Sequence, residues 1–252
     1  MRLSAQENYL GRVFPTNNGG KCIVVNYVNS ENVTVMFLDK YGHTKTTRAG
    51  NVTRGCVSNP FYPTVYGIGY LGVGKHKTKE NKVRNKVYTL WKSMLERCYS
   101  ESFVLKNPTY EGCTVCEEWH NFQVFAEWYC AQEFGGIGYD LDKDILSKKV
   151  KIYSPETCCF LPKEINTLFN ENKASRTNMP QGVYLNKKTG SYTARLSIGA
   201  GKKRHLGTHK TPELAFKAYK IAKESYVKEV ALKWKDKIEP RAFEALMNWT
   251  VE

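Results

Sequence analysis

The sequence predicts an α+β, multidomain protein: a small N-terminal β-barrel, a helical centre, and a C-terminal three-stranded sheet with one helix. Three observations carry this expectation. β-branched runs broken by turn residues occupy both ends of the chain. Apolar residues recur at helical spacing in the middle. Charge also changes sign along the 252 residues, whose formal net charge is +14: Lys75 to Lys92 holds 7 basic and 1 acidic residue, Glu96 to Glu171 holds 7 and 13, and Lys173 to Lys237 holds 16 and 4. These shifts predict a β-barrel-like domain over 1–60, a Gly-rich basic linker over 61–86, a central domain over 87–172, a C-terminal domain over 175–235 and a tail over 236–252.

An apolar fraction of 41% with 13% aromatics is enough for packed cores and excludes a disordered polyelectrolyte. No run approaches a membrane span and the first residues lack an apolar leader core, so a cytoplasmic protein without a membrane partner is expected. In that reducing setting the 8 cysteines read as free thiols. The basic excess points to polyphosphate as the partner, and an acidic centre between two basic arms fits a cation site flanked by surfaces that grip a phosphate backbone.

In the N-terminal segment, Cys22 to Tyr27 and Asn32 to Phe37 are β-branched strands joined by a hairpin-like break, and Thr44 to Thr47 follows after a turn. The run Gly67-Ile68-Gly69-Tyr70-Leu71-Gly72-Val73-Gly74 superficially matches a dinucleotide fingerprint, but it opens into Lys75-His76-Lys77-Thr78-Lys79 instead of a helix. It therefore reads as a flexible linker, with no nucleotide cofactor. Val87, Leu90, Trp91, Met94, Leu95 and Cys98 share one helical face, as do Trp119, Phe122, Phe125, Ala126 and Tyr129. The single Cys113-x-x-Cys116 lacks a second pair of comparable spacing, so buried thiols are expected there and not zinc.

From Asp140 to Asn172, three carboxylates within five residues lead through a turn and a short β-like piece to a helix start that carries Asn166. Crowded carboxylate and amide oxygens suit a Mg²⁺-type ion. Further on, Tyr192, Ala194, Leu196 and Ile198 alternate with Ser191, Thr193, Arg195 and Ser197, and a turn at Gly199-Ala200-Gly201 leads to a basic strand from Lys202 to Thr208. Thr211 caps a helix with Pro212 at its first position. One helix covers one side of the sheet, so the other would present Tyr184, Thr193, Arg195, Lys203 and His205, a surface able to lie in a DNA groove.

Several of these residues also form a recognisable set. Tyr88-x2-Trp91-x2-Met94-Leu95-x-Arg97-Cys98-Tyr99, Val115-Cys116-x2-Trp119-x2-Phe122-x2-Phe125, Leu141-Asp142-Lys143-Asp144 and Tyr153-Ser154-Pro155-Glu156-Thr157-Cys158 together resemble phage-type HNH homing endonucleases. Gly182-Val183, Tyr192-x-Ala194, Leu206-Gly207, Thr211-x-Glu213 and Ala215-x2-Ala218-Tyr219 are similar to the plant ethylene-response-factor DNA-binding domain that such proteins often carry. The resemblance implies a ββα-metal, HNH-like centre that cuts or nicks double-stranded DNA with one Mg²⁺ or Mn²⁺ held by Asp142 and Asn166, in a host cytoplasm if the protein is phage-encoded. Thr157 then falls at the middle Asn position. Lys143 occupies the place of the usual histidine; a lysine of ordinary pKa is protonated at neutral pH and cannot accept a proton, so its catalytic part would be to neutralise the scissile phosphate unless burial lowers its pKa. His120, Asp144 and Asp140 remain as groups to serve the reaction in its stead. Two rival readings follow from the departure at Lys143: a DNA-binding protein that has lost cleavage and acts as repressor, recruiter or decoy, and a phage–host protein-interaction module.

Overall fold

The computed structural model describes residues 4, 6–136, 138–147, 150–169, 179–199 and 201–251. It is a mixed α+β structure with several sheets, as expected, and it divides into two compact units, Met1–Cys130 and Ala131–Glu252. The division falls inside the 87–172 segment, while the boundary expected near 172–175 and Ala200 of the expected turn lie outside the described residues.

The first unit opens with β1 (Val13–Pro15), β2 (Lys21–Asn29), β3 (Asn32–Phe37) and β4 (Thr44–Thr47), an antiparallel sheet in the order β1-β2-β3-β4. Cross-strand pairs Cys22↔Phe37 and Val24↔Val35 point to one face, and α1 (Ala49–Thr53) covers that face with Ala49 and Val52, joined by Val57. This corrects the expected barrel. The sheet stays open, because its edges β1 and β4 do not pair with each other. A short helix covers the apolar face where further strands would be needed to close it.

The expected linker over 61–86 is also corrected. Tyr70 donates its N–H to the His120 carbonyl at 2.9 Å and accepts from the Phe122 N–H at 3.0 Å, which lays the glycine-rich run along the helical part as an ordered strap. A Cβ at Gly69 would collide with Leu95 and the Trp91 ring, one at Gly72 with Asn121, and one at Gly74 with Gln123. These glycines serve close backbone approach, not flexibility. After the strap come β5 (Lys79–Glu80), β6 (Val83–Arg84), α2 (Lys86–Tyr99), α3 (Glu101–Lys106), β7 (Thr114–Val115) and α4 (Phe122–Cys130). The Asn85 side chain caps α2 by accepting from the Val87 N–H at 2.8 Å. Of the predicted stripe, Trp91, Met94 and Leu95 are buried, as are Trp119, Phe122 and Phe125, and the Trp91 and Phe122 ring centroids lie 5.5 Å apart. The Trp91 indole N–H donates to the Trp119 carbonyl at 2.7 Å.

The second unit holds β8 (Tyr139–Asp142), β9 (Ile152–Tyr153), β10 (Cys159–Pro162), α5 (Lys163–Leu168), β11 (Val183–Asn186), β12 (Ser191–Ser197), β13 (Lys203–His209), α6 (Pro212–Lys233) and α7 (Pro240–Met247). The expected three-stranded sheet has the order β11-β12-β13, and the Thr211 hydroxyl accepts from the Leu214 N–H at the start of α6. Along 22 residues, α6 serves two cores. Ala215 and Tyr219 sit under the sheet with Val183, Ala194 and Leu196, whereas Val227, Val230 and Ala231 pack with Cys159, Leu161 and Ile165 of β10 and α5. The stretch read as a tail over 236–252 contains α7, and Ile238, Ala242 and Leu246 are buried in that same second core.

Candidate functional site

Strands β8 and β10 run antiparallel with Asp142 opposite Cys159 and Asp140 opposite Leu161, and α5 begins at once after β10. Because side chains alternate along a strand, Asp140 and Asp142 lie on one face with Cys159 and Leu161, while Leu141 points the other way into the interior. Cys159 and Leu161 belong to the core that also holds Ile165 of α5, and of the two aspartates it is Asp140 that is tied to this helix, through Asn166. The Asp142 side chain is half-buried. Its Oδ1 accepts from the backbone N–H groups of Asp144 at 3.0 Å and Ile145 at 2.8 Å, which fixes the turn after β8. Among the described residues no donor reaches its Oδ2. Burial holds this carboxyl above the usual carboxylate range, and the charge of Asp144 adds to the rise against the opposing N–H groups and Lys143.

Asn166 lies on α5, and its amide nitrogen donates to Asp140 Oδ2 at 3.2 Å. An amide held by its NH₂ end presents its oxygen elsewhere, and among the described residues no donor occupies Asn166 Oδ1. Asp140 thus orients Asn166, a role that the spacing of two on β8 encodes. α5 is itself held firmly. Lys223 of α6 donates to the Leu168 carbonyl at 2.6 Å, and Glu164 receives Lys233 at 2.7 Å and the Trp234 indole at 2.9 Å. Lys233 holds the Glu164 carboxyl below its ordinary value.

The donor chemistry fits a Mg²⁺-type ion, since a desolvated carboxylate oxygen and an oriented amide oxygen are hard ligands that leave most positions to water and substrate. Among the described residues, no group of three or more His, Cys, Asp and Glu is arranged to hold a metal. Asp142 and Asn166 are the two ligands that the resemblance assigns to such an ion.

Lys143 is 6% exposed, and its ammonium is ion-paired to the Asp144 carboxylate and lies 5.7 Å from the Tyr153 ring centroid. Asp144, paired in this way, is the exposed partner. Thr157, at the middle position, is buried and donates its hydroxyl to the Ile152 carbonyl at 2.7 Å, which closes the loop between β9 and β10. His120 belongs to the first unit, where its Nε2 lies 3.2 Å from the Val115 carbonyl and so carries the proton. A residue that the sequence did not single out, Arg241 of α7, donates to the carbonyls of Glu156 at 3.0 Å and Cys158 at 2.8 Å and pairs with Glu239. It clamps the segment leading into β10.

On the sheet, Tyr184 pairs with Thr193 across β11 and β12, and Arg195 pairs with His205 across β12 and β13. The Tyr184 ring is 45% exposed and carries two cations, Arg195 at 5.5 Å and Lys203 at 5.6 Å from its centroid. Arg195, Lys203 and His205 are exposed, and Thr193 is half-buried. The five residues assigned to the bare face are thus brought together there, opposite the Ala194 and Leu196 face that meets α6. No family model, curated protein or solved structure matches this chain.

Proposed function

We propose that the protein is a metal-dependent DNA endonuclease or nickase of the phage HNH homing type, with the β11-β12-β13 sheet recognising double-stranded DNA. The observation that carries this reading is the Asp140–Asn166 hydrogen bond. It turns an amide oxygen outward from a helix that directly follows an antiparallel pair bearing the half-buried Asp142. A divalent ion, when bound by Asp142 and Asn166, supplies Lewis acidity at a scissile phosphate. The chain's own part is to keep the half-buried Asp142 ionisable, to orient Asn166, and to hold the strands and α5 through Arg241, Lys223 and Glu164. The Tyr184, Arg195 and Lys203 cluster offers a flat aromatic surface and cations, which supports contact with base edges and phosphates.

The test is supercoiled plasmid incubated with Mg²⁺ or Mn²⁺, which is converted to open circle and is protected by EDTA. Asp140→Ala frees the Asn166 amide without touching either proposed ligand. It raises the Mg²⁺ concentration needed for half-maximal nicking by about 10- to 100-fold, the usual cost of losing a group that orients a ligand. Because Asp140 is exposed, the melting temperature stays unchanged, and an unchanged metal requirement would count against the assignment.

One observation favours a second reading. With Lys143 locked to Asp144, no proton acceptor stands at the position of the usual histidine. The protein is then a DNA-binding repressor, recruiter or decoy without cleavage. Intact plasmid together with salt-sensitive retention of duplex in gel shifts selects this reading, and absence of both selects a protein-interaction module.

A further inference from the structure

The segment between the glycine strap and α2 is a β-hairpin with a shape of its own. Lys79 pairs with Arg84 and Glu80 with Val83, and the two residues between them, Asn81 and Lys82, have φ of 48° and 67°. Positive φ at both central positions is the type I′ turn, which matches the twist of its strands. Two-residue strands are marginal alone. Here both feet are tied down. The Asn85 N–H donates to the Thr78 carbonyl at 2.9 Å while the Asn85 side chain caps α2, and Gln123 of α4 grips His76, accepting from its N–H at 2.9 Å and donating to its carbonyl at 3.0 Å.

All six residues from Lys79 to Arg84 are exposed, Val83 at 70%. Directly opposite residues share a face, so Lys79 and Arg84 stand side by side. Like charges in that arrangement destabilise a hairpin. Lys75 is neutralised by Glu127 at 3.1 Å, but among the described residues no carboxylate meets Lys79, Lys82 or Arg84. A ribbon that is anchored at its base, repels itself across its strands and presents three cations against the one acid Glu80 is fitted to an external polyanion.

We infer that the Lys79–Arg84 hairpin is a second DNA-contacting element, a rigid basic ribbon that grips the phosphates of duplex DNA independently of the β11-β12-β13 sheet. A two-stranded ribbon is a shape that the major groove admits. The inference rests on the DNA-binding reading above and adds to it a specific, non-sequence-reading contact in the first unit.

Full-length protein is titrated with a short duplex of mixed sequence over a range of salt. The triple variant Lys79→Ala, Lys82→Ala, Arg84→Ala lowers the slope of log affinity against log salt by about 2.7, at roughly 0.9 per phosphate contact, with unchanged circular dichroism. Asn81→Val keeps every charge but places a β-branched residue at a φ it disfavours, and it weakens duplex binding without changing the fold of the helices. A triple variant with the parent's slope overturns the inference and leaves the DNA reading standing. Parent-like binding by Asn81→Val overturns the rigid ribbon, and a slope change seen on single-stranded RNA but not on duplex overturns the choice of partner. Failure of the parent protein to bind any duplex overturns the DNA reading itself.

Discussion

If the protein is the proposed nuclease, Asp142→Asn is expected to abolish divalent-ion-dependent nicking, and at neutral pH to make the protein harder to unfold. The side-chain oxygen that accepts from the Asp144 and Ile145 N–H groups is retained in the amide, so the turn after β8 survives. What disappears is the negative charge that would face a cation, worth ~4 kcal/mol or on the order of 10³-fold in rate. The stability gain follows from the direction of the Asp142 shift. Its folded-state pKa lies above the unfolded value, so the favourable contribution is complete below the unfolded pKa and is lost as pH rises through the folded pKa. The asparagine variant has no such loss. Melting curves from pH 4 to pH 8 should therefore diverge in its favour as pH rises, and added Mg²⁺ should raise the melting temperature of the parent alone. A variant that nicks normally, or that melts lower at every pH, contradicts the placement of Asp142 as the buried ligand.

Removing residues 238–252 unfolds the second unit. Ile238, Ala242 and Leu246 are buried against β10, α5 and α6, Val251 is buried beside Leu196 and Tyr219, and Arg241 binds two carbonyls ahead of β10. Truncating single buried Leu or Ile side chains to Ala costs about 2–5 kcal/mol each, and a typical domain is stable by only about 5–15 kcal/mol. The shortened chain should lose its cooperative transition in the second unit, expose ANS-binding surface and yield to protease between β10 and α6. A fragment that melts as sharply as the full chain would show that α7 is dispensable.

That truncation is also the cut a reader of the sequence would choose, since the 175–235 domain ends just before it. The pattern of β12 and the Thr211-Pro212 cap were legible because local alternation and a helix start depend on neighbouring residues. α7 was legible in principle, with Pro240 at its first position and apolar residues at 238, 242 and 246 on a four-residue repeat, but nothing local distinguishes such a helix from a solvated one. The open N-terminal sheet was not legible, because closure depends on whether two distant edges meet. Nor was the strap. A glycine chosen for flexibility and one chosen for close approach look alike until Leu95, Asn121 and Gln123 are placed against them. At the candidate centre, the grouping of Asp142 with Asn166 came from motif order, whereas the bond from Asp140 to Asn166 required the register of β8 on β10 and the pitch of α5.

The double duty of α6 has a consequence for target architecture. At 1.5 Å per residue its 22 residues form a rod of ~33 Å, with one end beneath the β11-β12-β13 sheet and the other against the strand pair that carries Asp142. Such a strut acts as a molecular ruler, so under the proposed activity the scissile bond should fall at an invariant offset from the recognised bases. Inserting residues into the middle of α6 would rotate and displace the cleavage position along the duplex.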